Sequence, residues 1–129
     1  DLPVVELVDS HCHLDFPDFK DDLDGVVGRA QAVGVARFVT ISTRVRRQGD
    51  LIAIAERFPD VYCSVGTHPH HADEEDGILA DELIELTKHP KVVALGEAAF
   101  AEGFKLLSQL RANGVRAAMD FLAPAPPAD

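Results

Sequence analysis

Five apolar runs rich in Val, Ile and Phe recur along the chain, from Val4 to Val8, Val35 to Ser42, Val61 to Gly66, Val92 to Leu95 and Val115 to Phe121. Several are nearly continuous rather than alternating, the pattern of strands covered on both faces in a parallel sheet. Between them the apolar period lengthens to that of a helix. Phe19 to Val33 places Leu23, Val26, Val27, Ala30 and Val33 at three-to-four spacing and ends at Gly34, a helix-stop residue. Gly49 to Phe58 carries Leu51, Ile52, Ile54 and Ala55 and stops at Pro59. Ile78 to Lys88 is closed by Pro90, and Ala99 to Ala112, with Phe100, Phe104, Leu107 and Leu110, is closed by Asn113-Gly114. One helix in each gap, with right-handed crossovers, predicts an α/β fold of about five parallel strands alternating with helices.

A chain of 129 residues, 47% hydrophobic and 26% charged, is expected to form a single globular domain over residues 1–122. The last seven residues, 123–129, are Pro/Ala-rich and are expected to be disordered. The chain lacks an apolar run long enough to span a bilayer and a charged leader with an apolar core, so a cytoplasmic protein without membrane contacts is expected. Cys12 and Cys63 lie in apolar runs, which predicts buried free thiols in a reducing compartment. A net charge of −10 argues against a broad basic nucleic-acid surface, although bound cations could reverse the field locally. The basic cluster Arg44, Arg46, Arg47 reads as a solvated loop and helix start in preference to a phosphate site.

Functional groups of parallel α/β sheets gather at the carboxyl edge, and the polar residues here follow that rule. The first strand leads into Asp9, His11, His13 and Asp15, the second into Ser42-Thr43-Arg44, the third into Gly66-Thr67-His68-Pro69-His70-His71, and the fourth into Gly96-Glu97. His11 and His13, two apart, are expected on one face as candidate metal ligands. Glu97 is either a carboxylate ligand or an acid favoured by a helix N-terminus. His68 and His70 are either substrate contacts or loop residues satisfied by backbone groups, and His71 is expected to face solvent. Asp15 and Asp18 read equally well as helix-start residues or as partners that orient a histidine. His89, beside Pro90, reads as a helix-end cation.

Taken together, "LVDSHCHLDF", "VTISTR", "YCSVGTHPHHADEE" and "HPKVVALGEA" resemble the TatD family of metal-dependent deoxyribonucleases, from about Leu7 to Ala98. The resemblance implies a TIM barrel with one or two divalent cations at its C-terminal face activating water against a phosphodiester. It further implies that His11 and His13 are first-strand metal ligands, that Glu97 is the catalytic carboxylate ligand of the fourth strand, and that His68 lies near the substrate phosphate. After Ala98 the agreement stops: where the family continues Gly-Leu-Asp-Tyr, this chain reads Ala99-Phe100-Ala101-Glu102. Residues 96–121, "GEAAFAEGFKLLSQLRANGVRAAMDF", resemble the anticodon-binding domain of histidyl-tRNA synthetases.

These resemblances suggest a chimera of designed origin, with a TatD-like half-barrel (1–98) joined to a helix and strand (99–122). A half-barrel leaves its inner face bare. The expected remedy is an open flavodoxin-like or Rossmann-like sandwich, a monomer in preference to a homodimer of half-barrels. The expected function is residual binding of a divalent metal (Zn, Mg or Mn) or of phosphate without full hydrolase activity. The alternative is an active DNase acting on a DNA phosphodiester, and RNA binding is disfavoured by the acidity.

Overall fold

The computed structural model describes residues 5–75, 77–95 and the backbone of 117–118. Strands β1 (Leu7–Cys12), β2 (Val35–Thr40), β3 (Val61–Val65), β4 (Val92–Leu95) and β5 (Ala117–Ala118) alternate with helices α1 (Leu23–Ala32), α2 (Gln48–Arg57) and α3 (Ala80–Leu86). All neighbouring strands are parallel, and the order is β1-β2-β3-β4-β5. Sequential order is that of a barrel. The flavodoxin-like arrangement expected from the bare inner face, in which the sheet is rewound around one strand, is not adopted. Every crossover steps in the same direction, and right-handed crossovers then put α1, α2 and α3 on one face. The helix expected at Ala99–Ala112, with its covering residues Phe100, Phe104, Leu107 and Leu110, lies outside the described residues, as does the 123–129 tail.

The helices bury the positions that the spacing marks. Leu23 and Val27 of α1, Leu51 and Ala55 of α2 and Leu83 of α3 pack against Phe38, Val61, Cys63, Val65, Val92 and Leu95 of the sheet. The helical pattern from Phe19 resolves into a 3-10 turn over Pro17–Asp22 followed by α1, because Pro17 favours a helical first turn. Gly34 closes α1 at φ 106, where its N–H donates to Gln31 O at 3.0 Å. At the end of α2, Phe58 is extended, as the residue before a proline prefers. No helix among the described residues is long and apolar enough to cross a membrane.

The first strand differs most from expectation. The apolar run ends at Val8, yet β1 continues through His11 to Cys12, where Ile41 N–H donates to Cys12 O at 2.8 Å. Between Asp9↔Phe38 and Cys12↔Thr40 the register slips, so β1 advances three residues while β2 advances two. This is a bulge at Ser10–His11, and the Asp9 carboxylate accepts the His11 N–H at 3.1 Å. Pairing through backbone groups does not depend on apolar side chains, which is why the polar residues stay in the sheet. On β1 Leu7 and Val8 are 51% and 60% exposed.

Candidate active site at the carboxyl edge

The bulge and the strand end bring His11 and His13 together. Their rings lie 5.2 Å apart, edge to face at 78°. The His13 ring is stacked on Phe16 at 4.5 Å, and its Nδ1 is buried without a hydrogen-bond partner, as is Asp15 Oδ1. Imidazole nitrogens about 2.0–2.1 Å from a tetrahedral ion place two ring centroids roughly 5 Å apart. The observed spacing therefore suits a pair of ligands for a borderline divalent cation, and an orphaned buried nitrogen is a group in need of a partner. The fit stops at two: among the described residues no group of three or more His, Cys, Asp or Glu is arranged to hold a metal ion. Glu97, the expected third ligand, lies outside the described residues.

Burial chiefly pushes the Asp15 carboxyl above its usual range, with Asp50 adding to the rise and the local backbone hydrogen bond, His13 and Arg47 opposing it. Asp18 sits exposed in the first turn of the 3-10 segment, as the helix-start reading expects. Cys12 is half-buried and Cys63 buried, both free thiols. Each is pushed up to about 12, mainly by burial, so without a bound cation both stay protonated near neutral pH.

The loops that follow the first three strands are tied to one another in series. Leu14 N–H donates to Thr40 Oγ1 at 3.0 Å, joining the first loop to β2. Ser42 N–H donates to Ser64 Oγ at 3.0 Å, and Ser42 Oγ donates to Gly66 O at 2.8 Å. Gln48 Nε2 donates to Ser64 O at 2.7 Å, and His68 N–H donates to Thr43 O at 2.8 Å. Thr40, Ser42, Gln48 and Ser64 are all buried, so these bonds form where water cannot compete for them.

Three histidines meet after β3. The His68 ring lies 4.7 Å from that of His70 and 6.1 Å from that of His71. His68 Nδ1 accepts the His70 N–H at 3.1 Å, so a neutral His68 carries its proton on Nε2. That is the backbone-satisfied reading for one nitrogen, with the other nitrogen a donor. His71 does not face solvent as expected. It is half-buried, with Nδ1 3.3 Å from Arg44 Nη2 and 3.5 Å from Glu74 Oε1. Arg44 Nε donates to Glu74 Oε2 at 2.9 Å, and that bond holds the Glu74 carboxyl below its usual range. Arg44 thus leaves the loose basic cluster, whereas Val45–Arg47 form the predicted start of α2 as a 3-10 turn.

Sequence reasoning missed Glu75. It is buried at 6% exposure, and its carboxylate accepts Val45 N–H at 2.7 Å, Arg46 N–H at 2.8 Å and Thr67 Oγ1 at 2.7 Å. The overlooked signal is the start of α2, which offers no side chain of its own to cap its amides.

The family described as "TatD related DNase" matches residues 8–99. The chain is similar to the "Uncharacterized metal-dependent hydrolase YjjV" of Escherichia coli (strain K12), 31% identical over 96 residues that cover 73% of this chain and 37% of that protein. It is also similar to the "3'-5' ssDNA/RNA exonuclease TatD" of Salmonella typhimurium, 32% identical over 91 residues that cover 70% of this chain and 35% of the relative. The crystal structure of Escherichia coli YjjV, a TatD homologue, superposes with a TM-score of 0.58 at 28% identity, covering 79% of this chain and 41% of that one. The chain spans about a third of the length of the curated relatives it matches, 37% and 35% for these two. The resemblance of residues 96–121 to the histidyl-tRNA synthetase domain, and the chimera inferred from it, gain no support from these matches. Residues 96–116 and 119–121 of that stretch also lie outside the described residues. With the sequential parallel sheet, the matched span and the superposition in agreement, the chain belongs to the TatD family of DNase-related proteins.

Proposed function

We propose that this chain carries the first part of a TatD-type phosphodiester hydrolase site. In this reading His11 and His13 hold a divalent cation, Zn, Mn or Mg, and Glu97 adds a carboxylate at the end of β4. The observation that carries it is the 5.2 Å spacing of the two rings beside a buried, unpartnered His13 Nδ1. A bound cation would supply an activated water and neutralise charge on the phosphate. The chain's own residues do the rest. Phe16 stacks on His13 and fixes its ring plane, and Asp9 holds the bulge that aims His11. His68, with Nδ1 occupied by the His70 amide, presents Nε2–H as a donor to a phosphate oxygen, and the exposed His70 flanks it. The substrate class is single-stranded nucleic acid, supported by the printed name of the Salmonella relative.

Two imidazoles and one carboxylate make a weak site, so the chain by itself binds metal without efficient turnover. Isothermal titration of the chain with Zn²⁺ is expected to give saturable heat that His11→Ala and His13→Ala each abolish. Heat no greater than dilution would refute the metal reading. The second reading, an active nuclease, is favoured by the same relative's name. It predicts cleavage of single-stranded DNA with Mn²⁺ or Mg²⁺ that disappears in His11→Ala and Glu97→Ala, and cleavage that survives both substitutions would sink it.

A further inference from the structure

Two adjacent acids after β3 grip the loop after β2 in different ways. Glu74 takes the Arg44 side chain, while Glu75 turns into the protein and takes the backbone amides of Val45 and Arg46. Those amides open the 3-10 turn that leads into α2, where donors lack intrahelical partners. Neither the turn nor α2 has a capping side chain of its own. A buried carboxylate from another loop fills that role and also suits the positive end of the helix dipole. Its third bond, from Thr67 Oγ1, anchors the residue immediately before His68. His68 N–H in turn reaches back to Thr43 O, immediately before Arg44.

We infer that Glu75 is a positioning residue, whose carboxylate clamps the loops after β2 and β3 together and thereby fixes His68, the proposed phosphate donor, relative to the loop that carries Arg44. The role of His68 toward phosphate rests on the reading proposed above, whereas the clamp rests on the hydrogen bonds alone. Arg44 is one residue from Val45 and His68 one from Thr67, so freeing the carboxylate loosens the backbone beside both and leaves them held only by the Arg44–Glu74 and His68–Thr43 bonds. A Glu75→Gln substitution keeps the shape but turns one oxygen into a donor, which faces donors already there.

The test compares the wild-type chain with Glu75→Gln, Thr67→Val and Lys91→Met. Lys91 sits at the opposite edge of the sheet, bonded to the carbonyls of Phe58, Pro59 and Val61, and serves as a destabilised control remote from the site. The readouts are amide hydrogen exchange at Val45, Arg46 and His68 and the ring ¹⁵N pattern of His68. In Glu75→Gln the Val45 and Arg46 amides are expected to exchange about tenfold or more faster, as the loss of charge-assisted bonds implies. The His68 ring is expected to depart from its single Nε2–H tautomer. Thr67→Val is expected to move the His68 pattern the same way by a smaller amount, and it decides the question if Glu75→Gln does not fold. Lys91→Met is expected to leave the His68 pattern as in wild type. Unchanged exchange and ring signals in the two clamp variants, or an equal change in Lys91→Met, would overturn the positioning role. Titration with inorganic phosphate is a separate arm: no shift of His68 in the wild-type chain would refute its phosphate role, with positioning still decided by the exchange and tautomer data.

Discussion

Lys91 offers a measurement of how much the lower edge of the sheet contributes. Its ammonium donates to Phe58 O at 3.2 Å, Pro59 O at 2.8 Å and Val61 O at 2.7 Å, and it lies 4.4 Å above the Tyr62 ring. All three of its protons are therefore placed, on carbonyls where α2 ends and β3 begins. A hydrogen bond to a charged group contributes about 1.5–3 kcal/mol when buried, but this site is only partly buried and water can re-solvate the carbonyls. Discounting the three bonds for that solvation leaves a net loss of about 2–3 kcal/mol in Lys91→Met, which keeps most of the apolar stem. For a domain of this size that corresponds to a fall in Tm of roughly 10 °C. Lys91→Arg, whose planar fork cannot reach three converging carbonyls, should lose about half as much. The assay is built into the protein, because Tyr62 is the single tyrosine and there is no tryptophan. Its fluorescence during urea or thermal unfolding reports on β3 beside the substitution. A fall of less than about 2 °C in Lys91→Met would mean that water satisfies these carbonyls as well as the ammonium does, and the reasoning would fail.

Further outcomes follow from burial and backbone geometry. Gly34→Ala should cost about 1–2 kcal/mol in urea unfolding, because φ is 106 and an added Cβ would sit 3.3 Å from Val5 O; an unchanged midpoint would contradict that geometry. The Cys63 thiol, raised from 9.0 to about 12 by burial, stays protonated in the folded chain while the unfolded chain ionises. The folded state then holds more protons across that window, so stability is fully present below pH 9 and falls as pH rises toward 12. Cys63→Ala should flatten that fall in pH-dependent urea titrations, and parallel curves would refute it. The Glu74 carboxyl is lowered chiefly by its bond from Arg44, so its contribution is present above the ordinary carboxylate range and is lost as pH falls through the depressed value. Arg44→Met should therefore raise the Glu74 titration midpoint followed by NMR, and an unmoved midpoint would count against the ion pair.

The elements that spacing can reveal were legible. Leu51 and Ala55, one turn apart, marked α2, Pro59 marked its end, and Val92–Leu95 emerged with the boundaries of the apolar run. Periodicity places the first strand too early, since it records which face is apolar and an edge strand needs no apolar face to stay paired. His71 and Arg44 escape it for a related reason. Both look solvated in isolation and become half-buried only because the loops after β2 and β3 fold onto each other. Glu75 is hard to find because its partners are backbone amides thirty and twenty-nine residues away, and the one trace they leave is the uncapped start of α2. The strand order was also illegible: alternation of strands and helices is shared by barrels and doubly wound sheets, and the choice lies in the direction of each crossover.

The two edges of the sheet differ in how they are held, and the difference bears on function. At the carboxyl edge the side chains that tie the loops are buried ones, Thr40, Ser42, Gln48, Ser64 and Glu75, each bonded to a neighbouring strand or loop. Burying polar groups is costly unless they are fully partnered, and an apolar edge of the same shape would be at least as stable. What these bonds add is a fixed relation between loops that belong to different strands, so that His13, Arg44 and His68 hold their places without any ligand. In the reading proposed above, a site assembled that way loses little entropy on binding, which favours binding by a small ligand set. At the opposite edge the tie is the half-buried ammonium of Lys91, bonded to the carbonyls of Phe58, Pro59 and Val61. Preorganisation here is therefore concentrated at the loops after β1, β2 and β3, where the candidate ligands and phosphate contacts stand.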